Sequence, residues 1–234
     1  MPWGDLVQKP MIVDNQLPLR AAASAIYSCA QSILAAPDAK RLRPKFLSDG
    51  KVQLGNLLIF SEKQYYRLIV KGLGTPKLRN LLFSPVQSIR LILSLAKVGQ
   101  LYKSRDVKVT APIQLKASLE AICTYLNLHS YSSEIFKSEQ GFKILIGISN
   151  TETNFSIYYK KQSGWKVYFA ENQQSESASL LFKNIKIAQD AALGRLNSWI
   201  SLTNGNVVVA GRIPLIDKFG YVARLVQKEV PMPR

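Results

Sequence analysis

The last third of the chain, from Leu180 to Val226, restricts the possible folds most. Its apolar spacing changes period three times within a short distance. Ala178–Phe182 is a run of strand type, and Ile185–Leu196 has helical spacing with Gly194 near its end. Asn197–Thr203 fits a second, short helix, and Asn204-Gly205 is a turn. Asn206–Ala210 fits another strand, and Leu215–Val230 a final amphipathic helix with Ile216, Phe219, Ala223, Val226 and Val230 on one face. Almost no side chain in this stretch could act as a nucleophile, general base or metal ligand. A segment so regular and so short of reactive groups fits a scaffold around an apolar interior.

Upstream, Phe142–Ser149, Asn154–Lys160 and the alternating Trp165, Val167 and Phe169 predict strands joined by tight turns, one of them Ser163-Gly164. Such connections predict a largely antiparallel sheet. Pro112 is expected to open a helix reaching about Leu128, and Ser84-Pro85 one reaching about Gly99. In that second helix Val86, Ile89, Leu93 and Ala96 form one apolar face, widened by Leu91, Ile92 and Leu95. Gln87, Arg90, Ser94 and Lys97 form its polar stripe. Residues 1–18 read as an irregular leader, Leu19–Ala36 as an Ala-rich helix ended by Pro37, and Ala39–Asp49 as a basic connector. Val52–Phe60 and Tyr65–Val70 are ambiguous between strand and helix. A division into residues 1–111 and 112–234 follows from this change of pattern.

The chain of 234 residues is 47% hydrophobic and 20% charged, enough apolar content for a packed core. Its formal charge is +16, and most of the excess lies early. Residues 1–110 hold 17 Lys and Arg against 6 Asp and Glu, whereas residues 111–234 hold 14 against 9. An excess of this kind favours anionic surfaces. Arg41, Arg43 and Lys45, with Arg90 and Lys97 on the apolar helix, are the candidate anionic-surface residues. A solvated face, an anionic membrane and nucleic acid all remain readings of this basic region, but no nucleic-acid motif is spelled out.

Candidate chemistry is sparse. His129 is the single histidine, without the surroundings of a catalytic triad. Lys71–Lys77 is glycine-rich but lacks the spacing of a phosphate loop. Cys29 and Cys123 have no metal-type spacing and read as buried thiols. No catalytic residue, metal site or cofactor is therefore expected. The opening residues lack a secretory pattern and no stretch reads as a spanning helix. The expected setting is the cytoplasm, with peripheral membrane contact as an extension.

The segment around Leu181-Phe182-Lys183-Asn184, the helix ending at Ala192-Leu193-Gly194-Arg195, and the strand carrying Gly205, Val207, Val209 and Gly211 resemble the sterol carrier protein 2 (SCP2) domain. Phe142–Phe169 fits more loosely, and the acidic residue usual before the fourth strand is displaced to Glu176. The resemblance covers residues 112–230. It implies an α+β fold for that part, a sheet of about five mostly antiparallel strands covered by helices; residues 1–111, which it does not explain, are expected to form an additional, mainly helical N-terminal region. It also implies non-enzymatic binding or transfer of a sterol, fatty acyl chain or other lipid in an apolar cavity. Phe182, Trp199, Leu202, Ile216, Phe219, Ala223 and Val226 are the candidate lining. Two alternatives stand beside it. One is an accessory or scaffold protein, with a homodimer as one form, using the Pro85–Gly99 helix as partner surface. The other is a charge-driven nucleic-acid binder.

Overall fold

The C-terminal helix lies against one face of a five-stranded sheet, and that arrangement positions everything discussed below. The computed structural model describes residues 16–55, 58–71, 74–76, 84–104, 106–129, 134–139, 141–170 and 177–230. The leader up to residue 15, Gly72 and Lys77 of the glycine-rich loop, and Glu176 lie outside the described residues.

The first part runs α1 (Leu17–Ile33), α2 (Ala36–Arg41), β1 (Pro44–Phe46), β2 (Lys51–Leu54), β3 (Leu58–Ser61), α3 (Glu62–Lys71) and α4 (Pro85–Lys103). Strands β1, β2 and β3 form a small antiparallel meander, which resolves the ambiguous Val52–Phe60 stretch into strands and the Tyr65–Val70 stretch into helix. Two boundaries differ from expectation for the same reason. Pro18 and Pro37 both stand at the first turn of a helix, where a missing N–H costs nothing. The leader therefore ends inside α1, and Pro37 starts α2 rather than only ending the helix before it.

Helix α5 (Val107–Leu128) connects the two parts. The expectation that Pro112 opens it is corrected. Asp106 is the cap, its side chain accepting from the Lys108 N–H at 3.0 Å, and Pro112 sits inside the helix. The cost of the interior proline is the donor that would have met the Lys108 carbonyl. The division at residues 111 and 112 thus falls within a helix. Helix α1 packs along α5 through alanines (Ala21, Ala22, Ala23, Ala25 and Ala30 are all buried) that let the two backbones approach. Ser24 donates to the Glu120 carbonyl at 3.3 Å and accepts from the Thr124 hydroxyl at 2.9 Å across this contact.

The second part runs β4 (Gly141–Ile148), β5 (Asn154–Lys160), β6 (Gly164–Phe169), β7 (Ala178–Phe182), α6 (Ile185–Ala192), α7 (Ser198–Thr203), β8 (Val207–Gly211) and α8 (Ile213–Glu229). The sheet order is β6-β5-β4-β7-β8. All pairs are antiparallel except β4 with β7, which run parallel with Ile144 opposite Ala178 and Ile148 opposite Phe182. The fold is therefore α+β, with a mostly antiparallel sheet backed by helices. Gly211 is required where β8 passes β7. Its φ is +81°, and a Cβ there would stand 2.7 Å from the Ser177 carbonyl oxygen. One buried apolar cluster runs from Ala21 and Cys29 through Leu119 and Tyr125 to Ile144, Ile157, Phe219 and Val226.

The apolar positions of helix α4 divide between two sides. Ser88, Leu91, Ser94, Val98 and Leu101 are buried, whereas Val86, Ile89, Ile92 and Leu93 are exposed. Both rows carry helical spacing, so periodicity alone could not choose between them. The small Ser88 and Ser94 mark the side on which a neighbouring helix can come close, and α4 packs against α1, α2 and α5.

Candidate functional site: the interior behind the C-terminal helix

Strand alternation puts Phe142, Ile144, Ile157, Tyr159, Trp165, Val167, Phe182 and Val207 on the sheet face that meets the helices. Trp165 is the centre of that face. Its ring meets Phe136 edge-on at 4.6 Å and Phe142 edge-on at 5.2 Å, and lies 5.0 Å from Tyr159 and 6.4 Å from Phe219 of α8. Edge-to-face pairs of this kind add to area burial. The Trp165 backbone is clamped from α5: its N–H donates to Asn127 Oδ1 at 2.8 Å, and Asn127 Nδ2 donates to its carbonyl at 3.0 Å. The side chain is 3% exposed, and its indole N–H has no hydrogen-bond partner among the described residues. A buried donor left unpaired costs about 1–3 kcal/mol, so this group is an unmet polar contact in an apolar interior.

Helix α8 forms the opposite wall, with Leu215, Ile216, Phe219, Val222 and Val226 buried. It is fastened by polar contacts near both ends. Near its start, Glu139 accepts from Arg212 at 2.9 Å and from Lys218 at 3.4 Å. Burial works to raise the Glu139 carboxyl, but the two cations and their hydrogen bonds hold it below the ordinary carboxylate range. Near its end, the Tyr125 hydroxyl donates to Glu229 Oε2 at 2.7 Å, and the His129 ring stacks on Tyr125 at 4.9 Å. Burial, and then the bond to Glu229, push the Tyr125 phenol well above its usual range; burial lowers His129 against the pull of Glu229.

An open cleft of about 260 Å³ lies between α5 and β6, lined by Glu120, Cys123, Thr124, Asn127, Trp165, Lys166, Val167 and Tyr168. None of the residues expected from the sequence to line a cavity borders it. Burial raises both the Glu120 carboxyl, opposed by Lys116, and the Cys123 thiol, which is thereby held in its protonated, weakly nucleophilic form.

The residues expected to line a cavity are distributed as follows. Phe182, Ile216, Phe219 and Val226 are buried, and Ala223 is half-buried against the same core. Trp199 and Leu202 do not join them: they are 81% and 45% exposed on α7, beside β8. Alternation along β7 and helical spacing along α8 located the first group. Helix α7 is only six residues long, too short to declare an inward face. The sequence reading did not single out Trp165 or Asn127 as site residues. The clamp spans 38 positions in sequence, and no local pattern reports it. Of the basic residues, Arg41 pairs with Asp38 at 3.1 Å, while Arg43, Lys45, Arg90 and Lys97 are exposed. Arg41 ends α2, Arg43 follows it, Lys45 is on β1 and the other two are on α4; α2 packs against α4. Cys29 and Cys123 are both buried thiols without a disulfide. Among the described residues no cluster of three or more His, Cys, Asp or Glu could hold a metal, and no helix is long and apolar enough to cross a membrane.

Half of this chain is similar to solved sterol carrier protein 2 domains. The SCP2 domain of Helicoverpa armigera shares 11% identity over 50% of this chain and 91% of its own length, at a TM-score of 0.37. SCP2 of Yarrowia lipolytica in its apo form shares 16% over 49% and 90%, at 0.34. A conserved hypothetical protein of Thermus thermophilus, described as possibly a sterol carrier protein, shares 14% over 50% and 90%, at 0.35. No family model and no curated protein matches the sequence.

Proposed function

We propose that this chain binds a long apolar ligand, such as a sterol, a fatty acyl chain or another lipid. The ligand lies between the sheet and α8, without chemical conversion, and is exchanged at an anionic membrane. The observation that carries this is the Trp165 indole N–H, buried without a partner inside a ring of aromatic side chains. A lipid pocket needs a mostly apolar lining and few polar groups to orient the polar end. Trp165 supplies one such group, and other atoms of the same residue border the α5–β6 cleft. The tail would lie along Phe182, Ile216, Phe219 and Val226. These side chains occupy the interior, so loading requires α8 to move outward. Its polar fastenings at Glu139 and Tyr125 allow that without unfolding the sheet. Arg41, Arg43, Lys45, Arg90 and Lys97 provide the attraction to anionic lipid.

Organic extraction of the purified protein followed by mass spectrometry tests the proposal. One apolar molecule per chain, displaced by added oleic acid or cholesterol, is the expected result. Protein that carries none, and that neither oleic acid nor cholesterol stabilises against heat, would refute it.

A further inference from the structure

Helix α4 presents an aliphatic row to the outside that nothing in the described structure covers. Val86, Ile89 and Leu93 are 64%, 55% and 57% exposed, and Ile92 lies beside them. Rotation of the helix is fixed by the buried row of Ser88, Leu91, Ser94 and Val98 on its other side. At about 100° per residue, Arg90 and Lys97 border the exposed aliphatic row on one edge. Along the sequence, the charge that flanks it is one-sided. Residues 63–105 contain nine Lys and Arg and no Asp or Glu.

We infer that α4 lies in the plane of an anionic phospholipid bilayer, its Val86–Ile89–Leu93 row sunk between the headgroups and its cations on the phosphates. This deepens the membrane step proposed above and rests on it. A purely electrostatic partner such as nucleic acid would use the cations but leave the aliphatic row exposed. A second copy of this chain would set the Arg90 and Lys97 cations of one helix against those of the other. An anionic bilayer satisfies both the charge and the aliphatic row, which is the composition of an interfacial helix. At 19 residues the helix is not apolar enough to cross a membrane.

Flotation of the full chain with vesicles tests the inference, using phosphatidylcholine alone and phosphatidylcholine with about 30% phosphatidylglycerol. Wild-type protein is expected to float with the anionic vesicles only, less so as salt rises from about 0.05 to about 0.5 M. Ile89→Gln with Leu93→Gln should weaken partitioning about tenfold or more, because two exposed aliphatic anchors are lost. Its unfolding midpoint should stay unchanged, because neither side chain is in the core. Arg90→Gln with Lys97→Gln should weaken the preference for phosphatidylglycerol. Any of three results overturns the inference: equal flotation with neutral vesicles, flotation of the Ile89/Leu93 variant at the wild-type level, or light scattering that shows a wild-type dimer and a monomeric variant. Mass spectrometry of extracted lipid from the same variant keeps the two proposals apart. Cargo retained with flotation lost supports docking through α4, and cargo lost with flotation retained refutes it.

Discussion

Replacing Trp165 by Phe separates an indole that is merely packed from one that awaits a partner. The ring contacts to Phe136, Phe142, Tyr159 and Phe219 are centred on this side chain, which is 3% exposed. A phenyl ring keeps the aromatic packing but loses part of the bicycle, which costs about 1–2 kcal/mol. Phe also removes the unpaired N–H, and with it about 1–3 kcal/mol of unmet desolvation. The two effects oppose each other, so the ligand-free variant should stay within about 1 kcal/mol of wild type, a midpoint shift of no more than about 4 °C for a chain of this size. Binding should respond differently. If the indole donates to the polar end of the ligand, Trp165→Phe loses about 1 kcal/mol of affinity, roughly fivefold. Thermal unfolding followed by circular dichroism, and a displacement titration with oleic acid and cholesterol, supply the two numbers. A ligand-free variant destabilised by more than about 3 kcal/mol, with affinity unchanged, would show a structural tryptophan with a satisfied N–H and refute the reasoning.

Four further outcomes follow from the same structure. Leu91→Ala on the buried side of α4 should cost about 2–5 kcal/mol, whereas Leu93→Ala on its outward side should stay within about 0.5 kcal/mol, both read from urea midpoints. The Glu139 carboxyl has its folded pKa below the ordinary value, so its contribution is present above the unfolded carboxylate range and is lost as pH falls through the folded pKa. Glu139→Gln should therefore lower the unfolding midpoint at neutral pH and converge with wild type in acid; a constant offset at all pH values would contradict the clamp. Tyr125→Phe removes the fastening to Glu229 and should speed ligand release in stopped-flow fluorescence, with little change if α8 does not move. Trp199→Ala, at an exposed position, should leave stability within about 0.5 kcal/mol and ligand affinity unchanged.

The fold of the second part was legible because its elements are short and sharply punctuated. Ala178–Phe182 and Asn154–Lys160 read as strands between turns, and the structure has strands at those bounds. The parallel pairing of β4 with β7 was not legible, because it joins segments separated by a hairpin and a long connection. In α4 both faces are apolar, so helix formation could be read but not its rotation. Pro112 misled because a proline inside a helix and one at its start look alike until Asp106 is seen capping the turn before it. The buried half of the predicted lining, Phe182, Ile216, Phe219 and Val226, follows from periodicity. Trp199 was misplaced because a large aromatic residue suggests burial, whereas a one-and-a-half-turn helix beside the edge strand β8 leaves it outside. Trp165 was visible as a strand residue. Its unpaired N–H is a property of the assembled interior, which no local pattern encodes.

Native mass spectrometry of the full chain, before and after incubation with oleic acid or cholesterol, tests the proposed function most directly. A single bound apolar molecule per chain is the predicted result, retained when Ile89 and Leu93 are replaced by Gln and weakened when Trp165 is replaced by Phe. Protein that stays at its bare mass under every one of these conditions would contradict it.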